Sequence, residues 1–306
     1  FPFYAQAITF GGVKKKLIIT GASGFLGYHL LRAAAQQYEV YALYNHKPLH
    51  YAQATPLHCD ITNYIQLGNY FEDIEPDAVV HAAAMADANY CQQHKAESYT
   101  TNIDASKNIA GLCSDYNIPL VYTSTDLVFD GKQGMYTEAD AKNPLSIYGE
   151  HKSIAEDEVL HIYPNATVAR LPMMFGYADA SDANYLQKFI AQIKRGETVS
   201  LFNDEYRSVG GAASIAKGIV HVLGRVEGVV HIAGKEKLSR YQFGTKAAKA
   251  FGLNEAYLSS CSQKDVSMAA PRPADVSLNI EKATALGYNP LSVDDELNLV
   301  AQSSFY

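Results

Sequence analysis

Three groups of residues have types and spacings suited to chemistry. The first is a glycine loop, Gly21-Ala-Ser23-Gly24-Phe25-Leu26-Gly27, a GxxGxxG between a short apolar run and an apparent helix. Glycines there admit positive φ and let backbone approach a pyrophosphate, while a helix N-terminus offers free N–H groups to phosphate. The pattern alone is also that of any tight strand–helix turn; its placement points to dinucleotide binding. The second group is Tyr148 and Lys152 in Tyr148-Gly-Glu-His-Lys152. Four residues apart on a helix, they share a face. A phenol ionises at about pH 10 and carries protons poorly at neutrality. A neighbouring ammonium and a positive nicotinamide ring would both stabilise tyrosinate, so the pair is expected to bring that pKa down. The third is Thr123-Ser124-Thr125-Asp126, where a hydroxyl could polarise a substrate carbonyl, although the same residues suit an ordinary strand-end turn.

These groups need a scaffold, and the chain supplies strands alternating with helices. Leu17–Thr20, Val40–Tyr44, Pro56–Cys59, Ala78–Ala82, Leu120–Thr123 and a run from Thr167 read as strands. Helices are expected after the glycine loop, around Asn102–Asp115, and over Tyr148–Tyr163. Buried runs alternating with helices predict an α/β fold, a Rossmann-type doubly wound parallel sheet. The rhythm loosens after Pro172, as a smaller, mixed α/β C-terminal substrate-binding region would require. The expected division is a leader or extension over 1–12, a NAD(P)-binding domain over 13–171 and a mainly substrate-binding region over 172–306. About 212–235 of the last is expected to return to the first domain.

The end of the second strand should choose the cofactor, since an acid there would bind the ribose hydroxyls of NAD. Tyr44-Asn45-His46-Lys47 holds no acid, which favours NADP over NAD. Asp60-Ile61, after the third strand, is placed to hold the adenine.

Composition excludes several classes. The 306 residues are 48% hydrophobic and carry a net charge of −7, against a general basic face for nucleic acid. No apolar run reaches the about 18 residues of a membrane-spanning helix. The four cysteines make no CxxC and no zinc-like cluster, so no metal site is expected and free thiols in a reducing cytoplasm are the default.

Taken in order, these motifs resemble the extended short-chain dehydrogenase/reductase superfamily and, more finely, the dTDP-4-dehydrorhamnose reductase family. Ser124-Thr-Asp-Leu-Val-Phe-Asp-Gly131 is similar to that family's STDYVFDG. Asn143-Pro-Leu-Ser-Ile-Tyr-Gly149, Asp204-Glu-Tyr-Arg-Ser208 and Arg272-Pro273 extend the likeness over nearly the whole chain. The resemblance implies NAD(P)H-dependent reduction of a 4-keto group on a nucleotide-linked deoxysugar. It makes Tyr148 the proton donor, Lys152 the ribose-binding and tuning group, and Thr125 the catalytic hydroxyl, with Ser124 a candidate substitute and substrate contact. It also places Ala82, Ala83 and Ala84 along the cofactor cleft and makes Asn102 a cofactor-binding residue that supports the site. Arg207 and Arg272 stand in family-like strings on the substrate side, and their planar forks suit a diphosphate. Such reductases are often homodimers.

Three departures touch the substrate side. Val209-Gly210-Gly211 replaces a usual proline and could widen or loosen the pocket, Asp275 replaces an asparagine, and Leu127 replaces a tyrosine. Leu127 argues against a 4,6-dehydratase, which needs a glutamate there. An epimerase and a non-catalytic cofactor-binding regulatory subunit remain alternatives.

Overall fold

The computed structural model describes residues 14–49, 51–177 and 185–303. The segment read as a leader or extension, residues 1–12, lies outside them.

Short apolar runs form the first six strands: β1 (Lys15–Thr20), β2 (Tyr38–Tyr44), β3 (Ala54–His58), β4 (Ala78–His81), β5 (Leu120–Thr125) and β6 (Thr167–Leu171). The chain then leaves the sheet for β7 (Met174–Phe175), β8 (Val199–Phe202), β9 (Tyr206–Ser208) and β10 (Gly210–Gly211), and returns with β11 (Gly228–His231). The resulting seven-stranded sheet runs β3-β2-β1-β4-β5-β6-β11. Every pairing in it is parallel. Strands β4, β5 and β6 are buried along their whole length, as a sheet covered on both faces requires. The order reverses between β1 and β4, which opens a crevice at the strands' carboxyl ends.

The pleat sorts the apolar residues. Leu17, Ile19 and Val121 face a core with Leu30 and Ala34 of α1 (Phe25–Ala34). Ile18 and Tyr122 face the opposite core with Phe71 of α2 (Tyr64–Ile74). Two short helices, α3 (Ala88–Gln93) and α4 (Lys95–Tyr99), precede a π-helical turn over Thr100–Asp104, which runs into α5 (Ala105–Asp115). Helix α6 (Ile147–Ile162) starts at Ser146, whose side chain accepts from the Gly149 amide at 3.2 Å. That cap fixes the turn carrying Tyr148. Ile109 of α5 and Val159 of α6 complete the second core.

Beyond α7 (Tyr185–Lys194), α8 (Ala212–Val222) lies beside α1, and its Ile215 and Ile219 join the first core. The later chain adds α9 (Arg240–Ala250), α10 (Glu281–Ala285) and α11 (Val293–Gln302), with β12 (Lys237–Ser239) and β13 (Leu258–Cys261). Its strands are short and pair in twos: β10 with β7, β12 with β9, β13 with β8. Phe175, Phe189, Phe243 and Leu297 make its own core. No described helix is long and apolar enough to cross a membrane. All four cysteines are free thiols.

Candidate active site

A cleft of about 460 Å³ opens at the carboxyl ends of β1, β2 and β4. It is lined by Gly21, Ser23, Gly24, Asn45, His46, Lys47, Asp60, Ile61, Ala82, Ala83 and Ala84, all singled out from the sequence. Phe25, Leu26 and Gly27 do not line it; they begin α1, and Leu26 packs on the first core. Met85, Tyr90, Glu97 and Thr101 do line it and were not anticipated. They come from the loop after β4, α3, α4 and the π-helical turn, where motif spacing carries no signal.

The cleft fits a dinucleotide by shape. Gly21 has φ +66°, and a Cβ there would stand 2.7 Å from the Ala83 backbone, so side-chain bulk is excluded where a pyrophosphate would pass. Helix α1 begins at Gly24 without a side-chain cap, which leaves first-turn N–H groups for an anion. Asp60 is held in place by accepting the Thr62 amide and hydroxyl at 2.9 and 2.8 Å.

Thr125 and Tyr148 meet at the end of β5; Lys152 follows one turn along α6, buried, and none of the three lines the cleft. The Thr125 hydroxyl is a hydrogen-bonding neighbour of the Tyr148 phenol. Met85, Ala88, Cys91, Leu127 and Ala270 form an apolar wall around that phenol. Burial in it raises the phenol's pKa; the Thr125 contact opposes, and Asp126 adds to the rise. The expected lowering of the Tyr148 pKa is therefore not what the site produces. The reason is geometric: the Lys152 ammonium donates to the Thr123 carbonyl at 2.7 Å and lies 4.1 Å over the Tyr122 ring. The result is a phenol kept protonated, the form that can donate.

Lys152 is itself perturbed. Burial lowers its pKa from 10.5 to about 7, against an opposing pull from Glu156. An unfolded chain would hold that proton up to its ordinary pKa, so unfolding takes up a proton between these values. Stability from this group thus rises with pH through that window, by at most about 1.4 kcal/mol per pH unit. Against Lys152→Met, wild-type melting temperature should gain as pH rises from about 7 to 9. A constant difference between the two proteins would refute the shifted lysine.

Four expectations are corrected here. Ser124 does not enter the pocket: side chains alternate along a strand, and its hydroxyl donates to Glu156 at 2.5 Å on the other side. There Glu156 is held by Arg170 at 2.8 Å. Asn102 is buried off the cleft, and acts on the wall through Met85, whose N–H and C=O its side chain binds at 2.9 and 3.1 Å. Arg207 is buried and already committed, 2.7 Å from Asp126 and 3.3 Å from Glu205. Gly210 and Gly211 do not widen a pocket; they are buried in β10, and the Gly211 amide donates to Glu296 at 2.5 Å.

Arg272 differs from Arg207. It is half-buried beside Glu205, Arg207 and Arg240, and its side chain makes no hydrogen bond or ion pair with the described residues. Arg240 pairs with Glu205 at 3.0 Å. The segment bearing Arg272 is tied to α3 by the Ala270 amide, which donates to Asn89 at 3.1 Å.

Known proteins match this arrangement over nearly the full chain. It is 29% identical over 289 residues to a probable low-salt glycan biosynthesis reductase, Agl14, of Haloferax volcanii, covering 91% of this chain and 95% of that protein. It is 26% identical over 282 residues to methionine adenosyltransferase 2 subunit beta of Danio rerio, covering 89% and 85%. Its fold superimposes with a TM-score of 0.83 on dTDP-4-dehydrorhamnose reductase of Bacillus anthracis in complex with NADP, at 24% identity over 94% and 99% of the chains. The family model described as the RmlD substrate binding domain matches residues 15–303, and the chain belongs to this dTDP-4-dehydrorhamnose reductase family of NAD(P)-dependent extended short-chain oxidoreductases.

Proposed function

We propose that the protein reduces the 4-keto group of a nucleotide-linked 4-keto-6-deoxy sugar, with NADPH as the favoured cofactor. The observation that supports this reading is the contact of Thr125 with Tyr148 at the end of β5, with Lys152 one helical turn away and bonded to the Thr123 carbonyl. NADPH supplies a hydride when bound. Tyr148, protonated by virtue of its burial, gives its proton to the oxygen that becomes the new hydroxyl. Thr125 orients that oxygen by a hydrogen bond. Lys152 serves the nicotinamide ribose. Gly21, Ser23, Gly24 and the α1 N-terminus take the pyrophosphate, with Asp60, Ile61 and Ala82–Ala84 along the adenosine half. Arg272, the arginine of its cluster without a bonded partner among the described residues, takes the sugar nucleotide's diphosphate.

The test is NADPH oxidation with a panel of 4-keto-6-deoxy sugar nucleotides, where turnover is expected. Interconversion of 4-epimers without net oxidation would make the protein an epimerase. Tight cofactor binding with no turnover of any sugar would assign a non-catalytic, cofactor-binding regulatory subunit.

Cofactor choice has its own test. His46 and Lys47 are exposed at the cleft's edge, and neither they nor Asn45 brings an acid to it. NADPH is expected to bind more tightly than NADH, and Lys47→Asp to erase or invert that order in a fluorescence titration. Tighter NADH binding by the unmodified protein would overturn the preference.

A further inference from the structure

The wall Ala82–Met85 is held from behind by side chains that do not line the cleft. Thr20, the last residue of β1, accepts the amides of Ala82 and Ala83 on its hydroxyl oxygen at 3.2 and 3.1 Å. The same oxygen lies 2.7 Å from Nδ1 of His81, the last residue of β4. Across the ring, Nε2 is 3.1 Å from the Ser106 hydroxyl, which donates to the Asn102 carbonyl at 2.8 Å. Asn102 in turn binds Met85 through both its N–H and C=O. Thr20, His81, Ser106 and Asn102 are each at most 1% exposed, so water does not substitute for a lost partner.

Counting protons from both ends fixes the ring. Thr20 has two lone pairs, and two amides occupy them. Only its own proton is left for His81, so Nδ1 must accept. At the other end the Asn102 carbonyl can only accept, so Ser106 spends its proton there. Nε2 must then donate to Ser106. The two ends require the same neutral tautomer, protonated on Nε2.

We propose that His81 is a positioning residue of the cofactor cleft: as the Nε2–H tautomer it joins Thr20 to Ser106 and so holds both ends of the Ala82–Met85 wall against the glycine loop. The inference rests on the cleft's being the dinucleotide site. The clearance at stake is small, because Gly21 already stands too close to Ala83 for any side chain. An imidazolium has no place here. Its Nδ1–H would meet an oxygen whose lone pairs are taken, and burial together with the Lys152 ammonium lowers the ring's pKa to about 3. Lys152 from α6 and Tyr122 from β5 are the titratable groups that face the ring.

The experiment combines ¹⁵N-histidine NMR of the full chain with cofactor titration of variants. The His81 resonances should show the Nε2–H tautomer and no titration between about pH 5 and 8. An Nδ1–H tautomer, or a protonation midpoint in that range, would overturn the network. In His81→Phe and Thr20→Val the dissociation constant for NADPH should rise about tenfold, as expected when buried partners are orphaned. Thr20→Ser should restore it. Purely structural support would lower the melting temperature and leave affinity alone, so wild-type affinity in folded variants defeats the proposal. If His81→Phe does not fold, the Thr20→Val and Thr20→Ser pair and the wild-type spectrum decide. If the unmodified chain binds neither NADPH nor NADH, the cofactor reading fails, and the NMR signature still judges the tautomer.

Discussion

Tyr148→Phe is expected to lower turnover by about 10²–10⁴-fold, the range of general acid catalysis, with cofactor affinity almost unchanged. The phenol sits in an apolar wall with the Thr125 hydroxyl as its polar neighbour. Removing its oxygen leaves that packing in place and takes away the one proton positioned for donation. The cleft residues around Gly21 and Asp60 are untouched by the change. A steady-state rate combined with a fluorescence titration of NADPH separates the two effects. Near-normal turnover would remove Tyr148 from the mechanism. The raised pKa sharpens the expectation for the reverse direction, since oxidation of an alcohol needs the phenolate. That direction should therefore favour alkaline pH more than reduction does.

The two arginines should separate just as plainly. Arg207→Ala is expected to destabilise the fold by about 3–5 kcal/mol, because Asp126 and Glu205 would each lose a buried counter-charge. Asp126 has one further oxygen without a partner, and beyond Arg207 its other oxygen keeps only the Thr125 hydroxyl at 3.2 Å, a neutral contact that does not replace the counter-charge. Arg272→Ala should leave the melting temperature close to wild type and raise KM for the sugar nucleotide far more than KM for NADPH. Urea unfolding and steady-state kinetics on both proteins check this. A stable Arg207→Ala protein with raised sugar-nucleotide KM would return Arg207 to the substrate. An Arg272→Ala protein with unchanged KM would place the diphosphate elsewhere.

The sheet was readable because each of its first six strands is a short apolar run between turn signals, and buried parallel strands must be such runs. The seventh was not read from the sequence as a strand, since Gly228–His231 offers four residues and little pattern; only a return of about 212–235 to the first domain was expected. Of the site, the glycine loop and the Tyr148–Lys152 pair are local in sequence, so spacing alone located them. Ser124 shows a local signal left unused: Thr125 and Ser124 adjoin on one strand, so only one of them can face the pocket. Arg207 shows a signal that no spacing contains. Its partner Asp126 lies 81 residues away, and only the packed structure tells a structural ion pair from a ligand contact. The same holds for Tyr148, whose pKa is set by Ala88, Cys91 and Ala270 closing over it from distant segments.

The return of α8 and β11 to the sheet bears on how the chain comes into being. A ribosome releases residues 14–171 well before β11, the second partner of β6, has been made. Until Gly228–His231 emerges, β6 has an open edge of the kind that recruits other chains. The flank of α1 that Ile215 and Ile219 cover is bare for the same interval. A fragment ending at Leu171 would thus contain the glycine loop, Tyr148 and Lys152 and still be a poor stand-alone module, prone to self-association. The nascent protein has a built-in vulnerable period, and shielding by a chaperone during synthesis would pay off most between those two points of the chain.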